Sequence, residues 1–98
     1  MVAGRLADAH FQMLQLGRMN ADQRIATFLL SLSERTDTGD MIRLPMTRLD
    51  IADHLGLTIE TVSRTIGKLT SIGLIVLRNL NNIRILDRDA LEDLAEGS

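Results

Sequence analysis

From Thr47 to Gly73 the chain, TRLDIADHLGLTIETVSRTIGKLTSIG, repeats its apolar positions with helical period in two short runs. Leu49, Ala52 and Leu55 recur at three-residue spacing in the first, and Val62, Ile66 and Leu69 at i, i+4, i+7 in the second. These are the stripes expected to be buried. Gly56 and Gly73 follow the two runs, where a left-handed glycine closes a helix, so the helices are predicted to end near Leu55 and Ile72. Thr47 is placed to cap the first helix with Asp50 as its capping-box acid. Thr58 is placed to cap the second, whose positive end Glu60 favours. Only Gly56-Leu57-Thr58 separates them, so the pattern predicts a helix-turn-helix.

The period then changes. Leu74–Arg78 and Ile83–Leu86 are branched aliphatic runs around the Asn-rich Asn79–Asn82, which predicts a hairpin standing beside the second helix as a wing. Met41–Leu44 reads as a third short strand stopped by Pro45, the only proline. Upstream, Asn20-Ala21-Asp22-Gln23 resembles a capping box. It opens a helix to about Arg35 with Ile25, Phe28, Leu29 and Leu32 on its inner face. Downstream, Asp87 is placed to cap a last helix, Arg88 to Glu96, with Ala90, Leu91, Leu94 and Ala95 inward and Gly97 closing it. Within residues 3–16, Leu6, Ala9, Met13 and Leu16 fall near a 3.5-residue repeat. Two readings stand there: the end of a coiled-coil helix, or a frayed helix lying on its own domain.

The expected fold is mainly α with a small antiparallel sheet (α+β), a winged helix-turn-helix. Residues 1–18 form the end of a dimerisation helix and linker, and 19–98 the domain proper. At 98 residues and 45% hydrophobic content the chain suits one modest core, and two phenylalanines as its only aromatics leave that core to Leu, Ile, Val and Met. No cysteine is present, so neither a disulfide nor a thiolate metal site is available, which suits a reducing cytoplasm. No apolar stretch approaches the roughly 20 residues of a membrane span, and the N-terminus lacks a signal-peptide pattern.

A net charge of −2 looks wrong for a partner of nucleic acid until it is divided along the chain. Residues 1–42 hold four basic and five acidic groups, 43–84 six and three, and 85–98 one and five: −1, +3 and −4. A polyanion meets a local face, so the +3 segment decides, with the acidic tail turned away. On the second helix Glu60, Thr61, Ser63 and Arg64 share an exposed face, a carboxylate, two hydroxyls and a guanidinium able to hydrogen-bond base edges in a major groove, with Ile59 at the helix start. Thr47, Arg48, Thr58, Lys68, Arg78 and Arg84 are the expected phosphate contacts.

Catalysis finds little support. His10 and His54 lie in different predicted helices without a second ligand pattern, Glu60 has no nucleophile or pocket motif beside it, and the glycines form no phosphate cradle. Nothing calls for a cofactor or a metal. A winged helix used for protein contacts without DNA readout is the alternative, since fold does not fix function. Against it, such a surface would more often present Leu, Met or aromatic anchors than an arginine among small hydroxyls.

The order of elements, and above all Glu60-Thr61-Val62-Ser63-Arg64, resembles the C-terminal DNA-binding domain of the Crp/Fnr family of bacterial transcription regulators. E-x-x-S-R is the signature of its Fnr and FixK-like branch. The resemblance covers nearly the whole chain. It implies a longer regulator whose sensory domain precedes the dimerisation helix, which acts as a cytoplasmic homodimer on double-stranded DNA, with dimerisation weak or absent in this part alone. It also implies that Glu60 and Arg64 read a C and a G, and that Ser63 reads the neighbouring position that separates the branches. The cyclic-AMP-receptor branch has arginine where this chain has Ile59. The resemblance therefore implies TTGAT-type rather than TGTGA half-sites, with Ile59 either against a thymine methyl or buried at the helix start. The loop around Asp37, Thr38 and Asp40 lies where relatives touch RNA polymerase, a contact possible here on position alone.

Overall fold

Asn20 opens the first helix, α1 (Ala21–Glu34), with a reciprocal cap: Gln23 N–H donates to its Oδ1 at 2.8 Å and its own N–H donates to Gln23 Oε1 at 3.0 Å. The computed structural model describes residues 19–35 and 39–97. The expected coiled-coil segment, 1–18, and the loop positions Asp37 and Thr38 lie outside them. From α1 the chain runs through strand β1 (Met41–Arg43), helices α2 (Arg48–Leu55) and α3 (Ile59–Ser71), strands β2 (Ile75–Asn79) and β3 (Asn82–Ile85), and helix α4 (Arg88–Ala95). Helix α1 is the hub, packing on α3, α4 and β1. Ile25, Ala26, Phe28, Leu29 and Leu30 all lie on its buried side, and Leu32 packs partly against the core.

Each predicted helix boundary has a visible cause. Thr47 and Asp50 form a capping box, Thr61 N–H donates to the Thr58 hydroxyl, and Ala90 N–H to the Asp87 carboxylate. Gly56, at φ 70°, ends α2 in the left-handed region, and the N–H groups of Gly56 and Leu57 both donate to the Ala52 carbonyl. Gly73, at φ 82°, closes α3 in the same way: Leu74 N–H reaches Leu69 C=O and Gly73 N–H reaches Thr70 C=O. This closure turns the chain straight from α3 into the wing.

The sheet is antiparallel in the order β1-β3-β2. On β3 the alternation is strict: Ile83 and Ile85 are buried and Arg84 exposed, so one face joins the core and the other faces solvent. The hairpin register shifts between Leu77 and Asn79, leaving Arg78 as the extra residue of a bulge. Asn79 is thus strand, and the tip narrows to Leu80-Asn81.

One predicted core residue is misplaced. Leu49 is 55% exposed, and the inner face of α2 is Ile51, Ala52 and Leu55. Three residues turn a helix by about 300°, so a strict three-residue spacing drifts around the axis. The pair Ile51–Leu55 keeps the four-residue ridge that faces α3. In α3 the expected Val62, Ile66 and Leu69 are all buried, with Thr65 beside them.

Candidate nucleic-acid interface

Helix α3 divides cleanly along its length. Its inner side carries Val62, Thr65, Ile66 and Leu69, while Glu60, Ser63, Arg64 and Lys68 are exposed and Thr61 is half-buried. Residues 60, 63, 64 and 67 therefore line the outer surface, and Gly67 leaves it low a turn beyond Arg64. Ile59, the first helical residue, is 40% exposed, so the expectation that it lies buried at the helix start does not hold: as the first residue of α3 it has no preceding turn to cover it.

Thr61 does more than line this face. Its hydroxyl accepts from Thr58 Oγ1 at 2.9 Å and, at a long 3.4 Å, from Arg64 Nη2. Residues 58, 61 and 64 follow one side of the helix at three-residue steps, so the cap, the threonine and the guanidinium form a single polar run. In the free domain Thr61 is occupied in orienting Arg64, and a direct base contact would draw on its remaining hydrogen.

The expected phosphate contacts are brought together unequally. Thr47 and Thr58 are exposed at the N-termini of the two helices, where unpaired N–H groups and the helix dipole favour anions. Arg48, half-buried in the first turn of α2, has its pKa lowered by that burial, and as a guanidinium it remains a cation at neutral pH. Arg78 and Arg84 stand exposed on the wing. Among the described residues the ion pairs are Lys68–Asp22 and Arg88–Asp40, so these wing arginines, like Arg48 and Arg64, are held by no carboxylate. Lys68 differs, since its ammonium sits on Asp22 in the first turn of α1. Asp40, a proposed polymerase contact, accepts from Arg88, which also donates to Ser33 Oγ at 3.1 Å.

Sequence reading missed Arg24. Its Nε donates to the Met19 carbonyl at 3.1 Å and its Nη1 to the Leu55 carbonyl at 3.0 Å. It thereby satisfies a C-terminal carbonyl of α2 and ties the helix-turn-helix to the start of α1. One basic residue inside an amphipathic helix carries no signal of such a role. His54 was expected to be ordinary, and it stacks at a tilt on Phe28 with ring centroids 5.7 Å apart. No group of three or more metal-ligating side chains occurs among the described residues. The acidic tail rides on α4, whose principal packing partner is α1. No described helix is long and apolar enough to cross a membrane.

Residues 23–94 match the profile of the Crp-like helix-turn-helix domain. Among curated proteins the chain is 51% identical over 89 residues to the nitrogen fixation regulation protein FixK of Rhizobium meliloti, covering 91% of this chain and 42% of that protein. It is 40% identical over 97 residues to the transcriptional activator protein FnrA of Stutzerimonas stutzeri, covering 95% and 39%. Among solved structures it superposes on FixK2 from Bradyrhizobium japonicum with a TM-score of 0.85 at 43% identity, over 95% of this chain and 47% of that one. The chain thus spans about two fifths of the length of the curated relatives it matches.

Proposed function

Because this chain belongs to the Crp-like helix-turn-helix family, we propose that it is the DNA-reading domain of a longer bacterial transcription regulator, sequence-specific for duplex DNA and not an enzyme. The observation that carries this is the outer face of α3. Glu60, Ser63 and Arg64 are exposed together there, and Arg64 is free of any carboxylate partner among the described residues. No exposed position of that helix beyond Ile59 holds an apolar or aromatic side chain, which disfavours a purely protein-binding role. Glu60 accepts from a cytosine amino group and Arg64 donates to a guanine edge, while Ser63 and Ile59 choose the half-site branch. Residues 1–18 contribute to dimerisation of the longer protein. The working protein is a cytoplasmic dimer that contacts RNA polymerase through Asp37, Thr38 and Asp40.

The test is competitive binding to duplexes bearing TTGAT or TGTGA half-sites, with a dimer made by fusing a dimerising helix upstream of Leu6. The wild type prefers TTGAT. Ile59→Arg combined with Ser63→Gly moves the preference toward TGTGA, and an unchanged preference would remove these two residues from branch choice.

Phosphate contacts behave differently from base contacts. Arg78→Ala or Arg84→Ala lowers affinity similarly for every sequence and reduces the slope of log K against log salt by about one. Lys68→Ala has a smaller effect, since its ammonium must leave Asp22 to reach a phosphate. Titrations at several salt concentrations separate these outcomes, and a sequence-selective loss at Arg78 would assign it to base reading instead.

A further inference from the structure

Of the cations on the expected DNA face, one is already taken. Arg48, Arg64, Arg78 and Arg84 enter neither ion pair found among the described residues, whereas the Lys68 ammonium is held by the Asp22 carboxylate. The two residues are 46 positions apart and join the recognition helix to the first turn of α1. The partners differ in freedom. The Asp22 side chain is 21% exposed, and Arg24, two residues on, pins its turn to α2 through the Leu55 carbonyl. The Lys68 side chain is 58% exposed, so it is the lysine, on its long flexible stem, that opens the pair by swinging outward.

Helix geometry says where it swings. Glu60, Arg64 and Lys68 follow one row at four-residue steps, and each step drifts by about 40° around the axis. Lys68 therefore stands about 80° round from Glu60, on the flank of α3 rather than on the base-reading face. A helix roughly 10–12 Å across fills a major groove about 12 Å wide, so phosphates line both of its flanks whichever way it runs in the groove. Each ion pair spans no more than about 4 Å, so a phosphate that reaches Lys68 comes within about 8 Å of Asp22, a Debye length at physiological salt. The carboxylate then repels the phosphate and contends with it for the same ammonium.

We propose that Asp22 is a built-in competitor of DNA, holding Lys68 off the duplex and so limiting the affinity of the domain for every sequence. This rests on the DNA-reading function proposed above and brings into it a residue outside the helix-turn-helix. Exposed ion pairs shift an equilibrium by no more than about fivefold, which sets the expected size. Were the pair only a strut between α1 and α3, loss of the carboxylate would leave affinity unchanged or reduce it.

The experiment measures binding of the 98-residue chain by fluorescence anisotropy, at several salt concentrations, to a duplex with a TTGAT-type half-site and to an unrelated duplex. Asp22→Asn, which keeps the shape of the side chain and removes its charge, tightens binding to both by about two- to fivefold. It also steepens the salt slope by about 0.9, the mark of one added phosphate contact. Asp22→Glu, which keeps the charge, stays near the wild type. In a Lys68→Ala background Asp22→Asn gains less than about twofold, because no ammonium is left to release. An equal gain with and without Lys68 would reduce Asp22 to plain repulsion, and no gain at all would make the pair a strut. Either result overturns the competition while leaving DNA reading intact. Failure of the wild type to bind either duplex would overturn both.

Discussion

Leu69→Ala lowers the stability of the domain by about 2–5 kcal/mol, measurable as a shift in the urea midpoint at unchanged slope. Leu69 is fully buried on the inner side of α3, and its carbonyl takes the Leu74 N–H that closes the helix. Truncation therefore leaves a cavity where the recognition helix, the core helix and the foot of the wing meet. The core around it is aliphatic apart from Phe28 and cannot refill the space with an aromatic ring. Against a typical total of about 5–15 kcal/mol, the loss is large enough to abolish DNA binding through unfolding alone. A cost below about 1 kcal/mol would mean that the surrounding side chains collapse into the space.

Arg64→Ala has the largest expected effect that leaves the fold untouched. Its side chain is exposed, and its one hydrogen bond among the described residues is the long one to Thr61, so urea stability should stay near that of the wild type. Binding to the preferred half-site falls by about 1–3 kcal/mol, the worth of a good bidentate contact, which is roughly 5- to 150-fold. The preference at its G·C position relaxes in the same experiment. Binding to unrelated duplex falls much less, because one phosphate-range charge among several is lost. Equal losses on specific and unrelated DNA would make Arg64 a backbone contact and shift base reading to Glu60 and Ser63.

Features set by short-range chemistry were legible in the sequence, whereas those set by distant partners were not. The capping residues Asn20, Thr47, Thr58 and Asp87 all act where their spacing to the next donors placed them, because a cap involves residues only three apart. Gly56 and Gly73 end helices for an equally local reason. Leu49 was misjudged because an eight-residue helix has too few turns for a spacing rule to fix its phase. Arg24 and Leu55 lie 31 residues apart, Lys68 and Asp22 46, and Arg88 and Asp40 48, and no pattern in one sequence foretells such pairings. The exposed set on α3 was legible because its periodicity is the complement of the buried stripe. Which of its hydroxyls is already engaged within the helix was not.

The bulge at Arg78 makes the wing's length a variable in its own right. Side chains on a strand change face with every residue, so the extra residue between Leu77 and Asn79 decides which way the positions on either side of it point. Deleting one residue there would restore regular pairing with Asn79 still opposite Asn82, and would remove from the wing both the extra twist of the bulge and an exposed arginine. Insertions and deletions in this hairpin, more than substitutions, are therefore the economical route by which relatives of this domain could diverge in reach along the duplex while keeping the same recognition helix.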